Sequence, residues 1–172
     1  MDNDIFRYTP PPVVTGPDFY NQEDKPHLRL AKLQLVLSMS SKNKAKFYLE
    51  DITSYQEKIK ECSEMISRAR ECKMLIPTGK DKVNYDMPAD MIKYFENHKL
   101  SWGSQDDCAH NANEWDFNIT SLTNYQETLM NATKQHTIYI EDFMGQYNSY
   151  LQGANTSIQQ AAQVLAAIAK GQ

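Results

Sequence analysis

The chain has 172 residues, 41% of them hydrophobic, and 18 Lys+Arg against 22 Asp+Glu give a formal net charge of -4 at pH 7. That length makes one compact domain or one elongated unit. Six glycines with no GxGxxG or GxxxxGK[ST] run exclude the Gly-rich phosphate cradles, and no cluster of Lys and Arg alternates with aromatics, so no nucleic-acid partner is expected.

In chain order, residues 1–26 come first and hold five of the seven prolines, Pro10, Pro11, Pro12, Pro17 and Pro26, among Asp, Asn and Gln. This composition predicts an extended N-terminal arm. Its start, MDNDIFRY, lacks the basic stretch and apolar core of a secretory signal, so the general secretory route is not expected. The run Leu28 to Leu37 is apolar nearly all round a helix, which predicts burial on more than one side. Arg29, Lys32 and Gln34 interrupt it far below the ~20 residues of a membrane span.

Ser38, Ser40, Ser41, Lys42 and Asn43 then break the pattern. A seven-residue repeat follows, with Ala45, Ile52, Ile59 and Ile66 on one line and Tyr48, Tyr55, Cys62, Ala69 and Ile76 on the interleaved line. This spacing is a coiled-coil seam, and it stops at Pro77-Thr78-Gly79. The first long helical segment is therefore 27–76.

The insert 77–120 is too long for a tight helix–helix turn. It contains a helical signal from Asp86 to Phe95 with Pro88 near its start, and both tryptophans, Trp102 and Trp115. A small irregular cap is expected, with a short β-hairpin joining Val83–Tyr85 to Trp115–Phe117.

The C-terminal helix, 121–172, carries two seams one residue apart. The first includes Leu122, Tyr125, Leu129, His136, Tyr139 and Phe143 and fades into Gln146, Gly153, Ser157 and Gln160; the second strengthens through Met144, Tyr147, Leu151, Ala154, Ile158, Ala161, Leu165 and Ile168. Together they form a stripe wide enough for two neighbours. The predicted fold class is all-α: a long antiparallel coiled-coil hairpin with a small mixed insert, one structural domain over 27–172. Its expected core is Ile52, Tyr55, Ile59, Ile66, Leu122, Leu129 and Phe143, with the Ile52/Ile59/Ile66 line facing the α-helical line through Leu122, Leu129 and Phe143.

Motifs for chemistry are sparse. Asp106, Asp107, Cys108 and His110 are the one tight group of metal-ligand residue types, and without a second ligand group at suitable spacing they read as a polar loop. Three cysteines without a CxxC spacing predict neither a disulfide framework nor a zinc site, and Cys62 suits a seam position as a small apolar side chain. His136 reads as a structural seam histidine, with a pH-sensitive contact as the alternative. Three N-x-[ST] sequons, at Asn118, Asn131 and Asn155, read as chance matches in an Asn-rich chain. No catalytic residue, metal or cofactor is expected.

The order arm, apolar helical stretch, heptad helix, insert and long C-terminal helix resembles the needle-tip proteins of type III secretion and, in size, the EspA-type filament proteins. Two stretches carry the likeness: Met87-Pro88-Ala89-Asp90-Met91-Ile92-Lys93-Tyr94-Phe95, and Trp115 to Ile168 with Phe143-Met144-Gly145-Gln146-Tyr147-Asn148-Ser149. The resemblance implies a secreted, non-enzymatic protein at the needle tip on the bacterial cell surface, supporting translocon assembly and effector delivery. It implies self-assembly, contacts with the needle subunit and translocator proteins, and no direct membrane span. The larger tip proteins carry an N-terminal helical hairpin that the arm here does not provide, so a dedicated chaperone is expected. The family's assembly surface falls on Met144, Tyr147, Leu151, Ile158, Leu165 and Ile168. The rival reading is a cytosolic helical adaptor or chaperone whose second seam binds a client helix.

Overall fold

The computed structural model describes residues 26–77, 84–103 and 108–171. Among them the elements run α1 (Pro26–Met74), β1 (Tyr85–Asp86), α2 (Ala89–Asn97), β2 (Ala109–His110) and α3 (Ala112–Lys170). α1 and α3 pack against each other, making an all-α hairpin with a tiny antiparallel sheet, the class that the two heptad stretches predict. The expected N-terminal arm, except Pro26, lies outside the described residues. The chain divides into two compact units, Tyr48–Tyr139 and Met1–Phe47 with Ile140–Gln172.

In the unit Tyr48–Tyr139, partners run in opposite directions along the two helices: Cys62 Sγ donates to the Leu122 carbonyl at 3.2 Å, and the Tyr55 ring lies 5.3 Å from that of His136. The core joins Cys62, Ile66, Ala69 and Cys72 of α1 to Met91, Tyr94 and Phe95 of α2 and Trp115 and Leu122 of α3. α2 is short but places Met91, Tyr94 and Phe95 on one face, the i, i+3, i+4 spacing of an amphipathic wedge. Pro88 serves as its N-cap, and the Pro88 carbonyl accepts from the amides of Met91 and Ile92. At its other end the Leu100 amide donates to the Phe95 carbonyl and the Lys99 amide to that of Glu96, a Schellman ending with Lys99 left-handed at φ 53°. Ion pairs of Arg68 with Asp90 and of Lys73 with Asp116, the latter at 2.6 Å, tie α2 and α3 to α1 at the surface. Such exposed pairs are screened by solvent and add little to stability.

The insert differs from the sequence expectation in one place. Tyr85 and Asp86 pair antiparallel with His110 and Ala109, and Trp115 to Phe117 are helical. Val83 lies outside the described residues. α3 starts earlier than Ser121 because Asn111 and Glu114 form a capping box: Asn111 Oδ1 accepts from the amides of Asn113 at 2.9 Å and Glu114 at 3.1 Å, while Glu114 Oε2 accepts from the Asn111 amide at 2.7 Å. The first turns of α3 lie close to the preceding loop: a Cβ on Gly103 would stand 2.8 Å from the Cβ of Glu114, and the Gly103 amide donates to Asn118 Oδ1.

In the second unit the heptad line of α1 runs upstream of Ala45 without a break. Ser38 and Ala31 are buried on it, with Ser41 buried and Gln34 half-buried on the interleaved line. The serines that break the apolar pattern lie within the continuous helix, as the single segment 27–76 expects; the Ser38 hydroxyl donates to the Leu35 carbonyl within the same turn at 2.8 Å. Across the seam stand Ala154, Ser157 and Ala161. Ser157 Oγ donates to Gln34 Oε1 at 3.3 Å and Ser41 Oγ to Gln146 Oε1 at 3.5 Å, so the helices are antiparallel here too. The expectation that Leu28 to Leu37 is buried on several sides is overturned: Leu30, Leu33, Leu35, Val36 and Leu37 are exposed. α1 has one helical neighbour here among the described residues, and the register turns small and polar side chains toward it.

Candidate interaction surface

The side chains that pack and those that face water are reversed, in this second unit, from the usual arrangement. Alanine, serine and glutamine fill the seam, whereas Leu30, Leu33, Leu35, Val36, Leu37 and Met39 of α1 and Ile158, Val164, Leu165 and Ile168 of α3 face outward. Small seam residues let two helices approach closely, and at Gly153 an added Cβ would run into the Gln34 side-chain amide. The outward residues gain nothing from this contact and leave large apolar side chains exposed on both helices.

Of the assembly residues implied by the resemblance, Met144, Ile158, Leu165 and Ile168 are exposed, Ile168 at 54%, while Tyr147 and Leu151 are half-buried. The reason is the packed line Ala154–Ser157–Ala161, which leaves Tyr147 and Leu151 nearer the seam and carries Ile158 to its edge. Of the expected core, Ile52, Ile66, Leu122 and Leu129 are buried, whereas Tyr55, Ile59 and Phe143 are half-buried. Phe143 is covered on one side by Lys44, whose Nζ lies 5.3 Å from the ring centre. The outer face of α1 was not among the sequence-derived contact residues. Its signal was present in the 3,4 spacing of Ala31, Gln34, Ser38, Ser41 and Ala45, which continues the downstream heptad upstream through polar residues.

The other candidates have structural placements. His136 is buried among Tyr48, Tyr55 and Tyr139, its ring 4.8 Å from that of Tyr48, and its Nδ1 is 3.6 Å from Asp51 Oδ2. Burial pushes the Cys62 and Cys72 thiols above their ordinary range, which disfavours the reactive thiolate; Cys108 is exposed. His110 is buried edge-on to Trp115, with ring centres 5.4 Å apart. Asp106 and Asp107 lie outside the described residues, among which no three His, Cys, Asp or Glu side chains converge to hold a metal ion. Asn118 of the first sequon is fully buried and holds the Gly103 amide, an arrangement incompatible with a glycan in the folded protein. Among the described residues no helix is long and apolar enough to cross a membrane. Comparison of the chain with protein-family profiles, curated proteins and solved structures gave no match.

Proposed function

We propose that the chain is an exported, non-enzymatic structural component of a type III secretion apparatus, a needle-tip or needle-extension protein that supports translocon assembly and effector delivery. The observation that carries this reading is the apolar outer surface of the unit formed by the N-terminal part of α1 and the C-terminal part of α3, with Met144, Ile158, Leu165 and Ile168 turned outward. A structural subunit needs such a surface on a stable scaffold, and the hairpin core of Tyr48–Tyr139 supplies the scaffold. The helix–insert–helix order and the Met87–Phe95 and Trp115–Ile168 stretches support the same reading. In this reading the protein acts outside the cell, on the needle, after delivery by a dedicated chaperone.

The test is export. In its native cell the protein is expected in the culture medium only while the secretion system is intact, and deletion of residues 1–25 is expected to stop its release. Retention in the cytosol with an intact system, together with a saturating 1:1 complex with one client, would replace this reading with that of an adaptor.

A further inference from the structure

We propose that the second unit contains a built-in joint, formed by Gly145 of α3 and the Ser38–Asn43 stretch of α1, at which both helices bend and their seam opens locally. The first observation is a glycine with no packing reason. α3 holds two interior glycines, Gly145 and Gly153. At Gly153 an added Cβ would run into the Gln34 side-chain amide, so that position needs glycine for the close approach of α1. At Gly145, which is exposed, an added Cβ would meet nothing among the described residues within 4 Å. Glycine weakens a helix interior relative to alanine, and here no neighbour requires it.

The second observation is that α1 is weak at the same level. Ser41 Oγ donates to Gln146 Oε1 at 3.5 Å and Lys44 Nζ stands 5.3 Å from the centre of the Phe143 ring, which sets Gly145 opposite Ser41 to Lys44. There α1 reads Ser38-Met39-Ser40-Ser41-Lys42-Asn43, and serine and asparagine side chains compete for the hydrogen bonds of a helical backbone. The Ser38 hydroxyl does so at the Leu35 carbonyl, a bond of the kind that bends helices. Two weak stretches side by side flex at one level, where a single one would be splinted by its neighbour.

The third observation is how little such an opening uncovers. On α1 the side chains buried at this level are Ser38, Ser41 and Ala45, and Gln146 across from them is exposed. The free energy of local opening rises with the apolar surface it exposes, so the seam parts more readily here than a seam of large apolar side chains. The joint does not depend on the functional reading, since an exported subunit and an adaptor would share this hairpin.

Two measurements on the full-length chain test this, with Gly145→Ala as the variant; its Cβ enters open space, so its helicity by circular dichroism is expected to match or exceed that of wild type. In a Cys108→Ser background, which removes the exposed thiol, spin labels at Glu141→Cys and Asn155→Cys span Gly145, and labels at Asn124→Cys and Ile138→Cys span an equal length of α3 without glycine; all four positions are exposed. Each pair is about 21 Å apart along a straight helix. Electron–electron double resonance is expected to give a broader distance distribution for the first pair, narrowing to the width of the second in Gly145→Ala. In native-state hydrogen exchange the variant is expected to slow the amides of Gln146–Ser149 and of Ser41–Ala45 together by about fivefold, the rate equivalent of glycine's roughly 1 kcal/mol deficit against alanine, and to leave those between Ile52 and Cys72 unchanged. Equal widths in the wild-type chain, a width that Gly145→Ala does not narrow, or slowing confined to α3 overturns the proposal.

Discussion

His98 shows how one side chain links α2 to both long helices. Its Nδ1 lies 2.8 Å from the Tyr125 hydroxyl, its ring centre is 4.4 Å from that of Tyr94, and Lys58 and Glu61 of α1 are its charged neighbours. With the imidazole proton on Nε2, Nδ1 accepts from the Tyr125 O–H; a second proton removes that acceptor. Burial lowers the His98 pKa, the Lys58 charge lowers it further, and Glu61 opposes both. A depressed folded-state value means that the neutral ring is favoured by folding, so the contribution is complete above the unfolded value of about 6.5 and is lost as the pH falls through it toward the folded value. Urea unfolding is therefore expected to show stability declining below about pH 6.5, with a shallower decline in His98→Gln. An identical slope in the variant would assign the decline to other groups. The same neighbourhood raises the Tyr125 hydroxyl pKa, chiefly by burial, so that hydroxyl remains a donor throughout this range.

At the scale of elements, the ends of helices show where local chemistry governs. α1 stops three residues before Pro77, with the amides of Leu75 and Ile76 closing tighter turns onto Cys72 and Lys73. α2 stops at a left-handed residue that is lysine and not glycine. A side chain in that conformation costs about 1–2 kcal/mol; glycine removes that cost but loses part of the gain through its greater freedom in the unfolded chain. Lys99→Gly is thus expected to stabilise the protein by about 0.5–1 kcal/mol, measured as a higher midpoint in thermal melts followed by circular dichroism. A lower midpoint would mean that the Lys99 side chain makes a contact worth more than the strain. The early start of α3 belongs to the same scale: the Asn111–Glu114 capping box is a local signal that periodicity passes over, because it lies upstream of the regular seam.

At the scale of the molecule, the two units differ in what their seams bury. Around α2 the core takes in Trp115, Phe95, Met91 and Leu122, all fully buried, whereas the seam of the other unit takes in alanines and serines. Apolar burial contributes roughly 25 cal/mol per Å², so the large side chains left outside on α1 add little to the isolated chain. Native-state hydrogen exchange at concentrations where the chain is monomeric is expected to find amides of α1 before Phe47 exchanging on the order of tenfold faster than those between Ile52 and Cys72. Uniform protection along α1 would show that the small-residue seam is as stable as the core. Assembly on the outer face is expected to slow the fast class selectively.

Sequence by itself determined the helical class, the seam lines through Ile52, Ile66, Leu122 and Leu129, the stop at Pro77 and the short helix after Pro88, because each follows from a periodicity or from a residue with restricted backbone freedom. It did not determine which side of Leu28–Leu37 meets α3. A segment apolar all round carries no directional signal, and only the register imposed by the downstream heptad turns Ala31, Gln34, Ser38 and Ser41 inward and the leucines out. The partner of β1 was equally hidden, since two-residue strands have no pattern of their own and Ala109–His110 is brought to Tyr85–Asp86 by the packing around Trp115. The exposure of Leu165 and Ile168 is likewise tertiary: they continue the apolar line of α3 in sequence, and only the packing of Ala154, Ser157 and Ala161 into the seam shows which side of α3 is turned outward.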